Sequence, residues 1–162
     1  MKLGIFGGTF NPPHMGHVTM ARAAVEQLSL DKLLVIPAGI PPHKQLPVGS
    51  ANTRQRWEMA QLMAGAVGKC AEARDMEIHR EGKSFTSDTL LALREAYADA
   101  EMWLLMGSDM FLSLHTWHAP EIVCREANIA AFSRNEENER AAFEKQKAFL
   151  EQTFGARVAI LD

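Results

Sequence analysis

Two histidines three positions apart, His14 and His17, stand in the stretch GGTFNPPHMGH at residues 7–17. At that spacing two imidazoles are neighbours on one face of a helical turn. Two ring donors beside a helix N-terminus make an anion site, because the free backbone amides and the positive dipole end face the same way. The residues ahead of the pair fit that chemistry. Gly7 and Gly8 let the backbone approach a ligand with no Cβ in the way. Pro12 and Pro13 stiffen the loop and stop it continuing as strand or helix. A zinc site would want a third and a fourth ligand at supporting spacing, which His43 alone does not establish.

Further polar residues follow other apolar runs. His43 and Lys44 come after KLLVIP, with Arg54 and Arg56 at the next helical segment. A turn at Gly107, Ser108 and Asp109 follows EMWLLM, and Ser133 and Arg134 follow NIAAF. Cations around a single carboxylate suit a nucleotide, the cations for phosphates and Asp109 for ribose hydroxyls.

These residues converge only if the elements between them do. Short apolar runs alternate with helical patterns along the chain. The strand-like runs are residues 3–6, KLLVIP, a weaker one around 72–78, EMWLLMG, NIAAFS and RVAIL. Between them, helical spacing places Val18, Ala21, Val25 and Leu28 on one face, then Ala60, Met63, Ala64 and Val67. TSDTLLALREAY follows with Leu90, Leu93 and Tyr97, and a last charged helix carries Phe143, Leu150 and Phe154. Such alternation predicts an α/β fold, a doubly wound parallel sheet with helices on both faces. In such sheets ligands bind outside the carboxyl ends of the strands, the edge at which the polar loops emerge. The long loop 37–49 is rich in Pro and Gly and has the length of a functional loop.

The whole chain narrows the function classes. Its 162 residues, 47% hydrophobic, support one domain with a real core. A net charge of −3 argues against a nucleic-acid or anionic-membrane binder. No apolar stretch approaches a membrane span, and Met1 and Lys2 lead straight into a strand pattern, unlike a signal peptide. Cys70 and Cys124 lack CxxC spacing and read as buried thiols in a reduced, cytoplasmic compartment. A homo-oligomer is left open.

The opening stretch resembles the first motif of the nucleotidyltransferase superfamily, whose H-x-G-H pair holds ATP phosphates. GIFGGTFNPPHMGH, IPAGIPPHK, KSFTSDTLLALR, LLMGSDMFLSLHTW and FSR, in that order, are similar to the bacterial nicotinate-mononucleotide adenylyltransferases. The resemblance covers about residues 1 to 135 and implies a Rossmann-like nucleotidyltransferase fold. It implies that nicotinate mononucleotide attacks the α-phosphorus of ATP, with Mg²⁺ on the nucleotide, giving deamido-NAD and pyrophosphate. His14, His17 and Lys44 take the catalytic positions. Gly7, Gly8, Thr9, Phe10, His14, His17, Gly107 and Asp109 fall on the ATP side. Gly8, Thr9, Lys44, Thr86, Trp117 and Arg134 fall on the substrate side, and no residue is assigned to a metal.

The acid end of that substrate can be argued from the residues themselves. Amides at the helix start Thr86, Ser87 and Asp88 suit a carboxylate, and the Trp117 face suits a pyridinium ring. A donor aimed at a carboxylate loses complementarity toward a carboxamide. The family continues past its last strand into an Ile-Ser-x-Thr-x-x-Arg segment that grips the ATP phosphates. This sequence stops at RVAILD, so residues 1–162 read as a single nucleotidyltransferase domain without that segment, binding the mononucleotide but catalysing poorly. Two other readings stay open here: a phosphopantetheine adenylyltransferase, which shares the first motif, and a nucleotide-binding module without full catalysis. His115 and His118 read as surface or supporting residues, Trp57 and Trp103 as core, Arg54 and Arg56 as either solvated or phosphate-facing. His79 has no assigned role, and 136–147 reads as a solvated face.

Overall fold

Runs of Leu, Val and Ile buried on both sides mark central strands of a parallel sheet. The computed structural model describes residues 1–8, 10, 14–39, 52–80, 82, 84–133 and 136–162. Its strands are β1 (Lys2–Gly8), β2 (Lys32–Pro37), β3 (Ala71–Ala73), β4 (Glu101–Met106), β5 (Asn128–Phe132) and β6 (Val158–Leu161). They form one six-stranded sheet in the order β3-β2-β1-β4-β5-β6, and every pairing is parallel. The helices are α1 (Met15–Leu28), α2 (Thr53–Val67), α3 (Thr86–Ala96), α4 (Ser108–Ser113), α5 (Pro120–Glu126) and α6 (Glu137–Phe154), with a 3-10 turn at Leu114–Thr116. None of them is long and apolar enough to cross a membrane.

Strand alternation divides the core in two. Leu33 and Val35 pack with Val18, Ala21 and Ala24 of α1 and Ala60 and Met63 of α2 on one face. Leu34 and Ile36 point the other way, into a cluster with Leu90, Phe111, Val123, Phe143 and Leu150 from α3 to α6. The predicted doubly wound sheet is therefore the observed one.

The ladder opens between its two halves. β1 pairs with β2 as far as Gly8↔Pro37 and β4 pairs with β5 as far as Met106↔Ala131. Between β1 and β4 the pairing ends earlier, at Ile5↔Leu104. At this point the connections turn to opposite faces, so the ends of β1 and β4 diverge into a crevice where sheets of this order bind ligands.

Three local expectations need correction. The strand expected around 72–78 ends at Ala73, because β3 is an edge strand paired only over Leu33↔Ala71 to Val35↔Ala73. The chain then closes a turn through Ile78 N–H to Asp75 O at 3.1 Å. The Gly-Ser-Asp sequence is the start of α4 rather than a turn. Of the two thiols, only Cys124 is buried, which pushes its pKa up to about 11; Cys70 is half-buried.

Candidate active site

The loop after β1 delivers both histidines to the first turn of α1. His14 is the N-cap and His17 the third helical residue, and the two rings replace the usual Ser and Glu of a capping box. Gly16 N–H donates to His14 Nδ1 at 3.0 Å, and His14 N–H donates to His17 Nδ1 at 3.0 Å. The ring centroids lie 3.9 Å apart at an interplanar angle of 30°. Since each Nδ1 accepts a bond, each neutral ring carries its proton on Nε2. The cap thus leaves both Nε2–H groups as the free donors of the pair, at the positive end of a helix.

The surroundings favour the neutral form of His17. His14 is exposed and His17 half-buried. Burial lowers the His17 pKa from its ordinary value, and a positive charge on His14 would lower it further. Phe10 holds His17 from below, with ring centroids at 5.3 Å edge to face, and packs on Phe6 at 5.5 Å. Its φ of 47° is unusual for a bulky residue. Phe10 is 4% exposed, so it acts as a packed support for the histidine pair.

Gly16 is required by the cap itself. A Cβ there would lie 2.7 Å from His14 Cε1 and 2.8 Å from His14 Nδ1. The glycine of H-x-G-H therefore makes room for the histidine two positions earlier, a relation that the bare motif does not disclose.

Across the crevice, β4 ends at Gly107, the N-cap of α4, and Asp109 lies exposed in its first turn. Ser108 Oγ donates to Glu139 Oε1 at 2.7 Å, tying the start of α4 to α6. Gly7 and Gly8 end β1, which runs parallel to β4, so the predicted ATP-side residues Gly7, Gly8, His14, His17, Gly107 and Asp109 come to one sheet edge. Thr9, Lys44 and Arg134 lie outside the described residues, as do His43, Pro12 and Pro13.

Of the residues expected on the substrate side, Thr86 comes from α3 and Trp117 from the segment after α4. A helix that crosses back over a parallel sheet starts at the strands' carboxyl edge, which puts Thr86 on the same rim. Phe85, rather than one of the expected Thr, Ser or Asp, is the N-cap, with no side-chain cap bond. The first helical bonds run from Asp88 and Thr89 N–H to Phe85 O, so the amides of Thr86 and Ser87 precede the ladder. Phe85 stacks on His118 at 4.2 Å and 27°. Trp117 is 7% exposed and its Nε1–H donates to Ser113 Oγ at 3.3 Å. Its ring is packed into the core on that face of the sheet rather than standing as an open platform.

Arg56, left between two readings by the sequence, is structural. It is 1% exposed and its guanidinium donates to Ala38 O and, at 3.0 Å, to Gly39 O. It pins the exit of β2. Arg54 lies on the surface in an i,i+4 pair with Glu58 at 3.3 Å. No helical periodicity signals a buried arginine, although its position one turn before Ala60 on the buried face was visible in the spacing. His115 contacts Gln146 at 3.0 Å and His79 pairs with Asp75 at 2.8 Å, both away from the histidine pair in sequence and fold.

The sequence profile of the cytidylyltransferase-like family matches residues 5–156. The chain belongs to that family. Among curated members, a Neisseria meningitidis serogroup C protein named "Probable nicotinate-nucleotide adenylyltransferase" is 41% identical over 133 residues, 82% of this chain and 66% of that protein. An Exiguobacterium sibiricum protein of the same name is 40% identical over 136 residues, 83% of this chain and 69% of that one. The alignment thus spans just under two thirds of the Neisseria protein's length. Among solved structures, the Plasmodium falciparum nicotinic acid mononucleotide adenylyltransferase complexed with NaAD superposes with a TM-score of 0.74 at 17% identity, covering 99% of this chain and 74% of that one. At that identity the likeness shows the cytidylyltransferase-like fold.

Proposed function

We propose that this chain transfers the adenylyl group of ATP to nicotinate mononucleotide, releasing pyrophosphate and forming deamido-NAD. The observation that carries the reading is the pair of imidazoles locked by their own capping box as Nε2–H donors at the start of α1. The names of the relatives at about 40% identity support the choice of acceptor.

A phosphate oxygen of the mononucleotide attacks the α-phosphorus of ATP; the new P–O bond forms as the bond to the β-phosphate oxygen breaks, its electron pair leaving with pyrophosphate. Charge grows on the non-bridging α oxygens, and catalysis consists of positioning the two phosphates and stabilising that charge. His17 Nε2–H donates to the α-phosphate, and its lowered pKa keeps it a neutral donor at pH 7. His14 shares the phosphate site, and the α1 dipole adds to both. Mg²⁺ would be brought by ATP and held mainly by the nucleotide, where it would offset phosphate charge; the two Nε2–H donors are not cation ligands. Lys44 supplies a loop cation to the phosphates. Asp109 takes the ribose hydroxyls, with Gly7, Gly8, Thr9 and the Phe10 backbone along ATP. Thr86 and Arg134 hold the mononucleotide, with the Thr86 and Ser87 amides on its carboxylate, while Trp117 offers only the small edge it leaves exposed.

The test is product identification by mass spectrometry after incubation with ATP, Mg²⁺ and one acceptor at a time. Nicotinate mononucleotide should yield deamido-NAD with equimolar pyrophosphate. His17→Ala should lower kcat by about 100- to 1000-fold, the typical effect of deleting one transition-state donor. Product from phosphopantetheine alone, or an unchanged rate for His17→Ala, would overturn the assignment.

A further inference from the structure

We infer that Arg80 and Thr89 are positioning residues that hold the start of α3 where its first amides can tell a carboxylate from a carboxamide. This rests on the assignment of the α3 start to the acid end of the mononucleotide.

Most helices fix their first turn with a Ser, Thr, Asp or Asn side chain at the N-cap, but Phe85 provides no such bond. The fixing comes from outside the helix. Ser84 and Thr89 flank the cap in sequence and are 2% and 1% exposed. A single guanidinium nitrogen, Arg80 Nη1, donates to Ser84 Oγ at 2.8 Å and to Thr89 Oγ1 at 2.9 Å. Thr89 Oγ1–H in turn donates to Glu77 Oε2 at 2.8 Å. Two hydroxyls on either side of Phe85 and Thr86 are therefore clamped to one short segment, residues 77–80.

That segment is itself braced. Burial raises the Glu77 pKa, while the Thr89 bond, the Arg80 charge and the Ser84 bond oppose the rise. The Glu77 carbonyl lies so near Gly39 that a Cβ on Gly39 would come within 2.4 Å of it. Gly39 O is held by Arg56. Contacts thus run from α2, through the exit of β2 and the 77–80 segment, to the first turn of α3. The far side of Phe85 stacks on His118, next to Trp117.

A clamp of this kind matters more to one substrate than to another. Hydrogen bonds weaken steeply once distance and angle leave a narrow range. An amide donor properly aimed favours an acceptor oxygen and disfavours the NH₂ of a carboxamide. Loosening the helix start should erode that preference while leaving the ATP side, built on α1 and α4, unaltered. A merely structural role would weaken all ligands alike.

The experiment compares Thr89→Val, which keeps the shape and removes the hydroxyl, with Thr89→Ser, which retains it, and with Arg80→Met as a second break. Calorimetry on the whole chain gives the affinities for nicotinate mononucleotide, nicotinamide mononucleotide and ATP. Thr89→Val and Arg80→Met should each cut the acid-over-amide affinity ratio about tenfold, the effect of one well-aimed hydrogen bond, with ATP affinity unchanged. Thr89→Ser should restore the ratio. An unchanged ratio in whichever of the two variants folds, or equal weakening of all three ligands, overturns the inference. A wild-type chain that does not prefer the acid overturns the proposed acceptor and this inference together. A wild-type preference that survives both variants overturns this inference alone.

Discussion

Replacing Gly16 with alanine separates the fold from the chemistry at a single position. The added Cβ would sit 2.7 Å and 2.8 Å from the His14 ring, closer than such contacts allow. The His14 ring is the obstacle, and it is exposed, so it swings out and gives up the bond from Gly16 N–H. Loss of an N-cap bond costs about 1 kcal/mol. Against this, alanine is better than glycine inside a helix by roughly 0.5–1 kcal/mol. The two nearly cancel, so stability to urea should change by less than about 1 kcal/mol. The catalytic effect does not cancel. With its ring turned away, His14 no longer aims its Nε2–H beside that of His17. Displacing one such donor lowers kcat by about 100-fold. Gly65→Ala is the control: it lies in α2 with nothing within 4 Å of the added atom, so it should stabilise by roughly 0.5–1 kcal/mol with an unchanged rate. Urea melts and pyrophosphate release measured on both variants decide the matter. A Gly16→Ala chain with the wild-type rate, or one destabilised by about 3 kcal/mol or more, would refute the capping argument.

Three further outcomes are expected. His17 should titrate below its ordinary value of 6.5 when followed by proton NMR of the ring. Because the unfolded chain then binds the proton more readily, His17's contribution to stability is present above pH 6.5 and is lost as pH falls through the lowered folded-state value; a midpoint above 6.5 contradicts this. Arg56→Ala should destabilise by about 3 kcal/mol in urea, since it leaves the Ala38 and Gly39 carbonyls without their charged donor; a change below about 1 kcal/mol would mean water replaces the guanidinium. Asp109→Ala should raise the KM for ATP about tenfold, the effect of losing one charged hydrogen-bond acceptor, with little change in the KM for the mononucleotide. Equal shifts in both would remove Asp109 from the ribose.

The sequence by itself indicated the strands, the helices α1, α2, α3 and α6 and the parallel sheet, but not α4 and α5, and it raised the expectation of a phosphate site in the first loop. Continuous apolar runs such as KLLVIP and NIAAF can be buried only between helical layers, and helical spacing between them leaves little choice but a parallel sheet. Glycines, prolines and paired imidazoles suggest a ligand site because each residue type has a local physical reason to be there. What tertiary structure alone decided are contacts between positions distant along the chain. The early end of the β1–β4 pairing, the turn of Arg56 inward onto the β2 exit, and the hold of Arg80 on both sides of the α3 start all join separate segments, so no local pattern records them. The same holds for Trp117, whose flat ring suggested a platform but which the packing of neighbouring helices largely covers. The edge strand β3 fell short of its apparent length because pairing, rather than propensity, sets where an edge strand stops. Even the His14–Gly16 relation, though local in sequence, depends on the ring orientation set by the capping bond, which residue types alone do not specify.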